Sequence, residues 1–159
     1  MTVENVMTKQ VATCNAETNL AEAIALMWEN DCGALPVVAA DGKLAGIVTD
    51  RHICIALGTR NLRSSDLSVG DVLQDQVLFC RVSDHIHTAL QKMCKGKVRR
   101  LPVLDDNSRL AGIVSMDDIV LSAEEDSRRG TVISYRDAIN ALQAIYRRNR
   151  ATGSEPVAA

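Results

Sequence analysis

Residues 3–57 recur as residues 69–123 at a constant offset of 66 positions without a gap, so the chain is one small unit written twice. The offset lays Leu35-Pro36-Val37 on Leu101-Pro102-Val103, and Leu44-Ala45-Gly46-Ile47-Val48 on Leu110-Ala111-Gly112-Ile113-Val114. Val11 falls on Val77, Cys14 on Cys80 and Met27 on Met93. About sixteen paired positions are identical, most of them apolar or glycine, as a duplicated core requires. Two units that each expose an apolar face pack together about a pseudo-twofold axis, and the cleft between them is the expected place for a site.

With 159 residues the chain is one compact domain by size, and neither half is expected to fold well alone. Aromatic residues make up only 3% of it, too few for a platform that stacks single-stranded nucleic acid bases, and a net charge of -2 argues against a general polyanion binder. No basic segment followed by an apolar core opens the chain, and no apolar run approaches the length of a membrane span. A cytoplasmic protein without nucleic-acid or membrane partners is expected. Cys14, Cys32, Cys54, Cys80 and Cys94 form no C-x-x-C pair and read as small buried hydrophobes in a reducing compartment. His52, His85 and His87 do not fall at metal-ligand spacing with them, so no metal site is expected.

Within one unit, residues 11–14 are β-prone, and Asn19 with Glu22 three residues on opens a helix carrying Leu20, Ala23, Ile24 and Met27 on one face. Residues 35–38 and 44–48 read as strands joined by a tight turn at Asp41-Gly42. Residues 50–57 read as a second helix stopped by Gly58. The second copy repeats this β-α-β-β-α order over 77–80, 86–95, 101–104, 110–114 and 116–122, with Asn107-Ser108 at the turn; residues 58–68 connect the copies. After a charged spacer at 124–130, Ser134 and Asp137 open one more helix, with Tyr135, Ala138, Leu142, Ile145 and Tyr146 on a shared face that packs on its own module or contributes to a dimer. Its basic end, Arg147-Arg148-Asn149-Arg150, reads as a solvated helix terminus, and 151–159 as a disordered tail.

After the third strand of each copy stand Gly46-Ile47-Val48-Thr49-Asp50-Arg51-His52 and Gly112-Ile113-Val114-Ser115-Met116-Asp117-Asp118. The hydroxyl sits where a strand becomes a helix. Backbone N–H groups at such a start, with a Ser or Thr hydroxyl, suit a phosphate, and a carboxylate one turn in can accept two ribose hydroxyls. The same residues also make ordinary sense as helix caps and dipole-compensating charge.

The duplicated unit, with Val6-Met7-Thr8-Lys9-Gln10-Val11-Ala12-Thr13 near its start and the L-P-V-V, D-G-K-L-A-G-I-V-T-D and R-R-L-P-V-L runs, closely resembles a pair of CBS (cystathionine β-synthase) domains forming one Bateman module. The resemblance covers about four fifths of the chain, all but the C-terminal helix and tail. It implies an α/β (α+β) fold: a tandem repeat of β-α-β-β-α units packed about a pseudo-twofold axis, here with a C-terminal helix added. It also implies a regulatory, non-catalytic module that binds AMP, ADP, ATP, NAD or S-adenosylmethionine between the repeats and often forms a homodimer. No cofactor is required. In the family the G-h-x-[ST]-x-x-D pattern supplies nucleotide contacts. Ser115 and Asp118 match it in full, whereas the first copy keeps Thr49 but has His52 in place of the Asp, and imidazole cannot accept a ribose diol in the same way. In a kinase regulatory subunit of the family, basic residues just before L-P-V reach the phosphate, which points to Arg99 first, then Arg100 and the cleft-edge Arg51. Adenine is then expected against Val77, Leu78, Leu101 and Val103, with Val11 and Leu35 lining the emptier first pocket.

The expected organisation is one repeat over 1–61, a second over 62–125, the spacer and helix over 126–150, and the tail over 151–159. The leading expectation is an adenine-nucleotide sensor that transmits a conformational change to an unidentified protein target; the alternative is a ligand-independent dimerisation scaffold. An enzyme is not expected. The chain has no P-loop, no G-x-S-x-G and no H-E-x-x-H, and His52 beside Asp50 has no neighbouring nucleophile.

Overall fold

A computed structural model describes residues 1–73, 77–125 and 132–147. The tail expected at 151–159, Arg148 to Arg150 and most of the spacer fall outside these residues. In the first unit α1 (Leu20–Glu29) begins where the Asn19 side chain accepts the Glu22 N–H at 2.9 Å, and it buries Leu20, Ala23 and Met27, one face at helical spacing. β1 (Ala34–Val38) and β2 (Leu44–Thr49) pair antiparallel across a turn in which Gly42 takes φ +79°. α2 (Asp50–Arg60) follows at once, capped by the Thr49 hydroxyl. In the second unit β3 (Cys80–Arg81) runs parallel to β4 (Arg100–Leu104), which pairs antiparallel with β5 (Leu110–Ser115). α3 (Ile86–Gly96) and α4 (Met116–Leu121) repeat α1 and α2, and α5 (Tyr135–Tyr146) closes the described chain. The α+β repeat fold is the expected one.

Three local expectations are corrected. The strand expected at 11–14 is a single parallel bridge from Cys14 to Val37, because the residues before Cys14 leave for the other repeat, and the one expected at 77–80 is only the two-residue β3, Cys80–Arg81. Gly58 does not stop α2. The helix runs on to Arg60 and ends at Asn61, which takes the left-handed φ of 52° that Asn tolerates. On α5 the core side is Ala138, Ala141 and Ile145; Tyr135 and Tyr146 face outward.

The cores are exchanged. Fully buried Val3, from the start of the first repeat, packs among Ile86, Met93, Leu101 and Ile119 of the second, while Leu67 and Val69 pack among Leu20, Leu35 and Ile53 of the first. Backbone pairs fix both transfers: Val3 N–H donates to Asp84 O at 2.9 Å and Val69 N–H to Thr18 O at 2.8 Å. Each buried valine contributes about 2 kcal/mol, enough to hold its segment on the opposite unit. The first segment continues across β5, where Thr8 and Ile113 exchange both backbone hydrogen bonds at 2.9 and 3.0 Å. Gly112 permits this approach, because a Cβ there would collide with the Thr8 carbonyl.

Denaturant unfolding should separate two glycines: Gly112→Ala loses about 2 kcal/mol by overpacking backbone on backbone, whereas Gly58→Ala, with open space at its Cβ inside a helix, gains about 0.5–1 kcal/mol. Asp137, whose carboxylate caps α5, is held below the ordinary carboxyl range by the Ser134 hydroxyl first and the Ser134 N–H next, with His87 assisting. A depressed carboxyl stabilises above its unfolded pKa and loses that contribution as pH falls through the lower folded value. Asp137→Ala should therefore be about 1 kcal/mol less stable than the native chain at neutral pH, and thermal melts of the two should converge as pH drops below about 4.

Candidate functional site

The exchange of starting segments builds a cavity of about 350 Å³ from both repeats. The first contributes Thr8, Gln10, Val11 and Ala12, then Asn30, Asp31 and Cys32 from the end of α1, and Ala34 and Pro36 of β1. The second contributes Arg100, Ile113, Ser115, Asp117 and Asp118. Among the expected site residues, Ser115, Asp118 and Arg100 meet here. β4–β5 pairing sets Arg100 opposite Ser115, so the register alone brings that guanidinium to the mouth of the motif.

Asp118 is the polar centre. Its Oδ2 accepts the Ser115 N–H at 2.8 Å and the Ser115 hydroxyl at 2.6 Å, and its Oδ1 accepts the Thr8 hydroxyl at 3.3 Å. The Ser115 hydroxyl in turn accepts the Asp118 N–H at 3.2 Å. This is a reciprocal capping box that orients α4, so the structural reading of the motif holds whatever else it does. The carboxylate also faces the cavity beside two hydroxyls, an arrangement of acceptors and exchangeable donors that suits a vicinal diol.

Other expected residues stand elsewhere. Arg99, in the bend that precedes β4, does not line the cavity, and its Nη1 donates to the Tyr146 hydroxyl of α5 at 3.3 Å. Leu101 and Val103 are fully buried in the second core, and Leu35 in the first. Val77 and Leu78 do not line the cavity; Leu78 lies over Gly96. Thr49 caps α2 through the His52 N–H at 3.2 Å, Arg51 is exposed, and neither lines the cavity. The apolar wall beside Ser115 and Asp118 is instead Val11, Ala12, Ala34 and Pro36. Motif and wall come from opposite repeats, a swap that pairwise reading within one copy misses; the V-M-T run at 6–8 was its one sequence trace. Burial pushes the Cys14 thiol up to about 11, with Glu22 adding, and the Cys80 thiol up to about 12, so both remain protonated hydrophobes. Among the described residues no cluster of three or more His, Cys, Asp or Glu could hold a metal ion, and no helix is long and apolar enough to cross a membrane.

A duplicated β-α-β-β-α unit with a polar cavity between its copies defines a CBS-pair module. The CBS domain model matches residues 3–59 and 69–125, and the chain belongs to that family. It is 32% identical over 132 residues to the CBS domain-containing protein YhcV of Bacillus subtilis, covering 83% of this chain and 92% of that one. Among solved structures, the CBS domain pair of MJ0100 in complex with 5-methylthioadenosine and S-adenosyl-L-methionine aligns with a TM-score of 0.69 at 26% identity, over 76% of this chain and 94% of that one. CBSX2 in complex with AMP aligns with a TM-score of 0.66 at 28% identity, over 76% and 93%. CBS pairs similar to this one thus bind adenine-containing ligands.

Because Asp118 caps α4, Asp118→Ala should cost about 1 kcal/mol in the absence of any ligand, read by chemical denaturation, and Ser115→Ala a similar amount.

Proposed function

We propose that the chain is a regulatory sensor that binds an adenine nucleoside or nucleotide in the cavity between its repeats, works as a cytoplasmic homodimer, and passes the change to a separate protein target. The observation that carries this reading is the Asp118 carboxylate, which faces a cavity built by both repeats together with the Thr8 and Ser115 hydroxyls. A ribose diol would take Asp118 as acceptor, displacing the Thr8 hydroxyl. The adenine would lie between the walls formed by Val11 and Ala12 on one side and Ala34 and Pro36 on the other. Arg100, in the place first expected of Arg99, would meet the phosphate or other 5′ group. No covalent step is assigned.

Charge refines the ligand. Arg100 is the one cationic side chain among the cavity's described lining residues, against Asp31, Asp117 and Asp118. This balance favours AMP or S-adenosylmethionine over ADP, ATP or NAD, since each added phosphate meets carboxylates without a further cation. Ligand contact with both repeats supplies the differential affinity that a switch needs, because a ligand indifferent to their relative angle shifts nothing.

Calorimetric titration with AMP, ADP, ATP, NAD and S-adenosylmethionine tests the reading. Saturable binding near one site per chain is expected, tighter for AMP or S-adenosylmethionine than for ATP. Asp118→Ala should abolish it, Arg100→Ala should weaken AMP by about tenfold or more, and Arg99→Ala should leave it unchanged. Absence of heat and of thermal shift with every ligand would leave the capping box as the motif's whole role and favour the ligand-independent scaffold.

A further inference from the structure

The helical face of the second repeat is covered by α5, and among the described residues no element covers the matching face of the first. On the covered face the Cys94 thiol meets Ala141 O at 3.8 Å, the Lys97 ammonium donates to Ala144 O near the end of α5, and Arg99 reaches Tyr146. Moved back by the repeat offset, these three residues become Trp28, Asp31 and Gly33. All three line a groove of about 600 Å³ over α1 and α2, together with Ile24 and Asp50. The groove is thus the counterpart of the seat of a helix. It is apolar, with Trp28 87% exposed, and its end is acidic where the occupied seat has Lys97.

A second unsatisfied surface lies on α5 itself. Its inner side is buried as Ala138, Ala141 and Ile145, yet Tyr135, Ile139 and Tyr146, at i, i+4 and i+11, make an outer apolar stripe that is 55%, 53% and 61% exposed. A helix apolar on two sides requires two partners. Arg136 and Arg147 flank this stripe, opposite in sign to Asp31 and Asp50 at the groove.

We propose that two copies of the chain pair about a twofold axis, the outer stripe of α5 from each copy seated in the α1–α2 groove of the other. The two contacts are identical and close on themselves, so assembly stops at a dimer. Charge complementarity places Arg136 and Arg147 of one copy against Asp31 and Asp50 of the other. The inference rests on the homodimer reading above and specifies its interface; it does not depend on nucleotide binding.

Sedimentation velocity on the full chain, with Trp28→Glu, Ile139→Glu and their mixture, tests the arrangement. The native chain should be dimeric and each variant monomeric, with far-UV circular dichroism and thermal melts reporting an intact fold. Mixing the two variants should restore a dimer, since the intact α5 stripe of Trp28→Glu meets the intact groove of Ile139→Glu through one of the two contacts. Persistence of the dimer in Ile139→Glu, failure of the mixture to associate, or a native chain that is monomeric at the highest concentration reached would each overturn the proposal. A charge pair, Arg136→Asp and Asp31→Arg, serves where either glutamate variant fails to fold: each alone should weaken association and the mixture should regain it. Titration of AMP and S-adenosylmethionine into a folded, monomeric Trp28→Glu separates the two questions, because the nucleotide reading stands or falls on that heat and the interface on the sedimentation.

Discussion

The reciprocal transfer of starting segments holds this molecule together. Val3 is carried into the second core and Val69 into the first, and the extended stretch between Val3 and Cys14 must cross β5 to get home. Everything at the site follows from that crossing. Thr8 comes within reach of Asp118 because its backbone is locked to Ile113, and it can be locked there because residue 112 has no side chain. The two repeats are therefore mutual parts of one folding unit, with a cavity whose walls cannot be assembled from either copy alone.

The two carboxylate oxygens of Asp118 are held unequally. The carboxylate oxygen that closes the capping box is committed to Ser115, while the other holds only the longer hydroxyl contact to Thr8. On the proposed reading, a ligand diol would compete for the weaker of these contacts and leave the helix start intact. In the first repeat His52 occupies the corresponding position, and Thr49 caps its helix through a backbone N–H without a carboxylate to close the box. Both copies thus keep the hydroxyl cap, and only the second has a carboxylate that closes the box.

Most of the fold was legible because its signals are local and doubled. Apolar spacing along α1 and α3, capping residues at Asn19, Ser115 and Ser134, and turn residues at Gly42 and Ser108 each act within a few positions of chain. The motif residues Ser115 and Asp118 were legible for the same reason. What escaped was set by through-space partners: Arg99 and Arg100 are neighbours in sequence, but Arg100 opens β4 opposite Ser115 at the cavity while Arg99, in the bend before the strand, meets Tyr146 of α5. Val11 was assigned to the other pocket and Ala12 to none, because this wall depends on the exchange between repeats. Tyr135 and Tyr146 were grouped on one face with Ala138 and Ile145 because apolar spacing identifies a stripe but not how many stripes a helix has.

The turn that ends α1 has two sides. Asp31, held at a left-handed φ of 46°, and Cys32 line the inter-repeat cavity and also the outer groove over α1 and α2. Any ligand that displaces this turn changes the shape presented to whatever occupies the groove, and any occupant of the groove acts back on the ligand by the same free energy. If the chain works as the proposed dimeric sensor, its apparent ligand affinity would depend on protein concentration, and abundance of the chain would become an input alongside the level of the ligand.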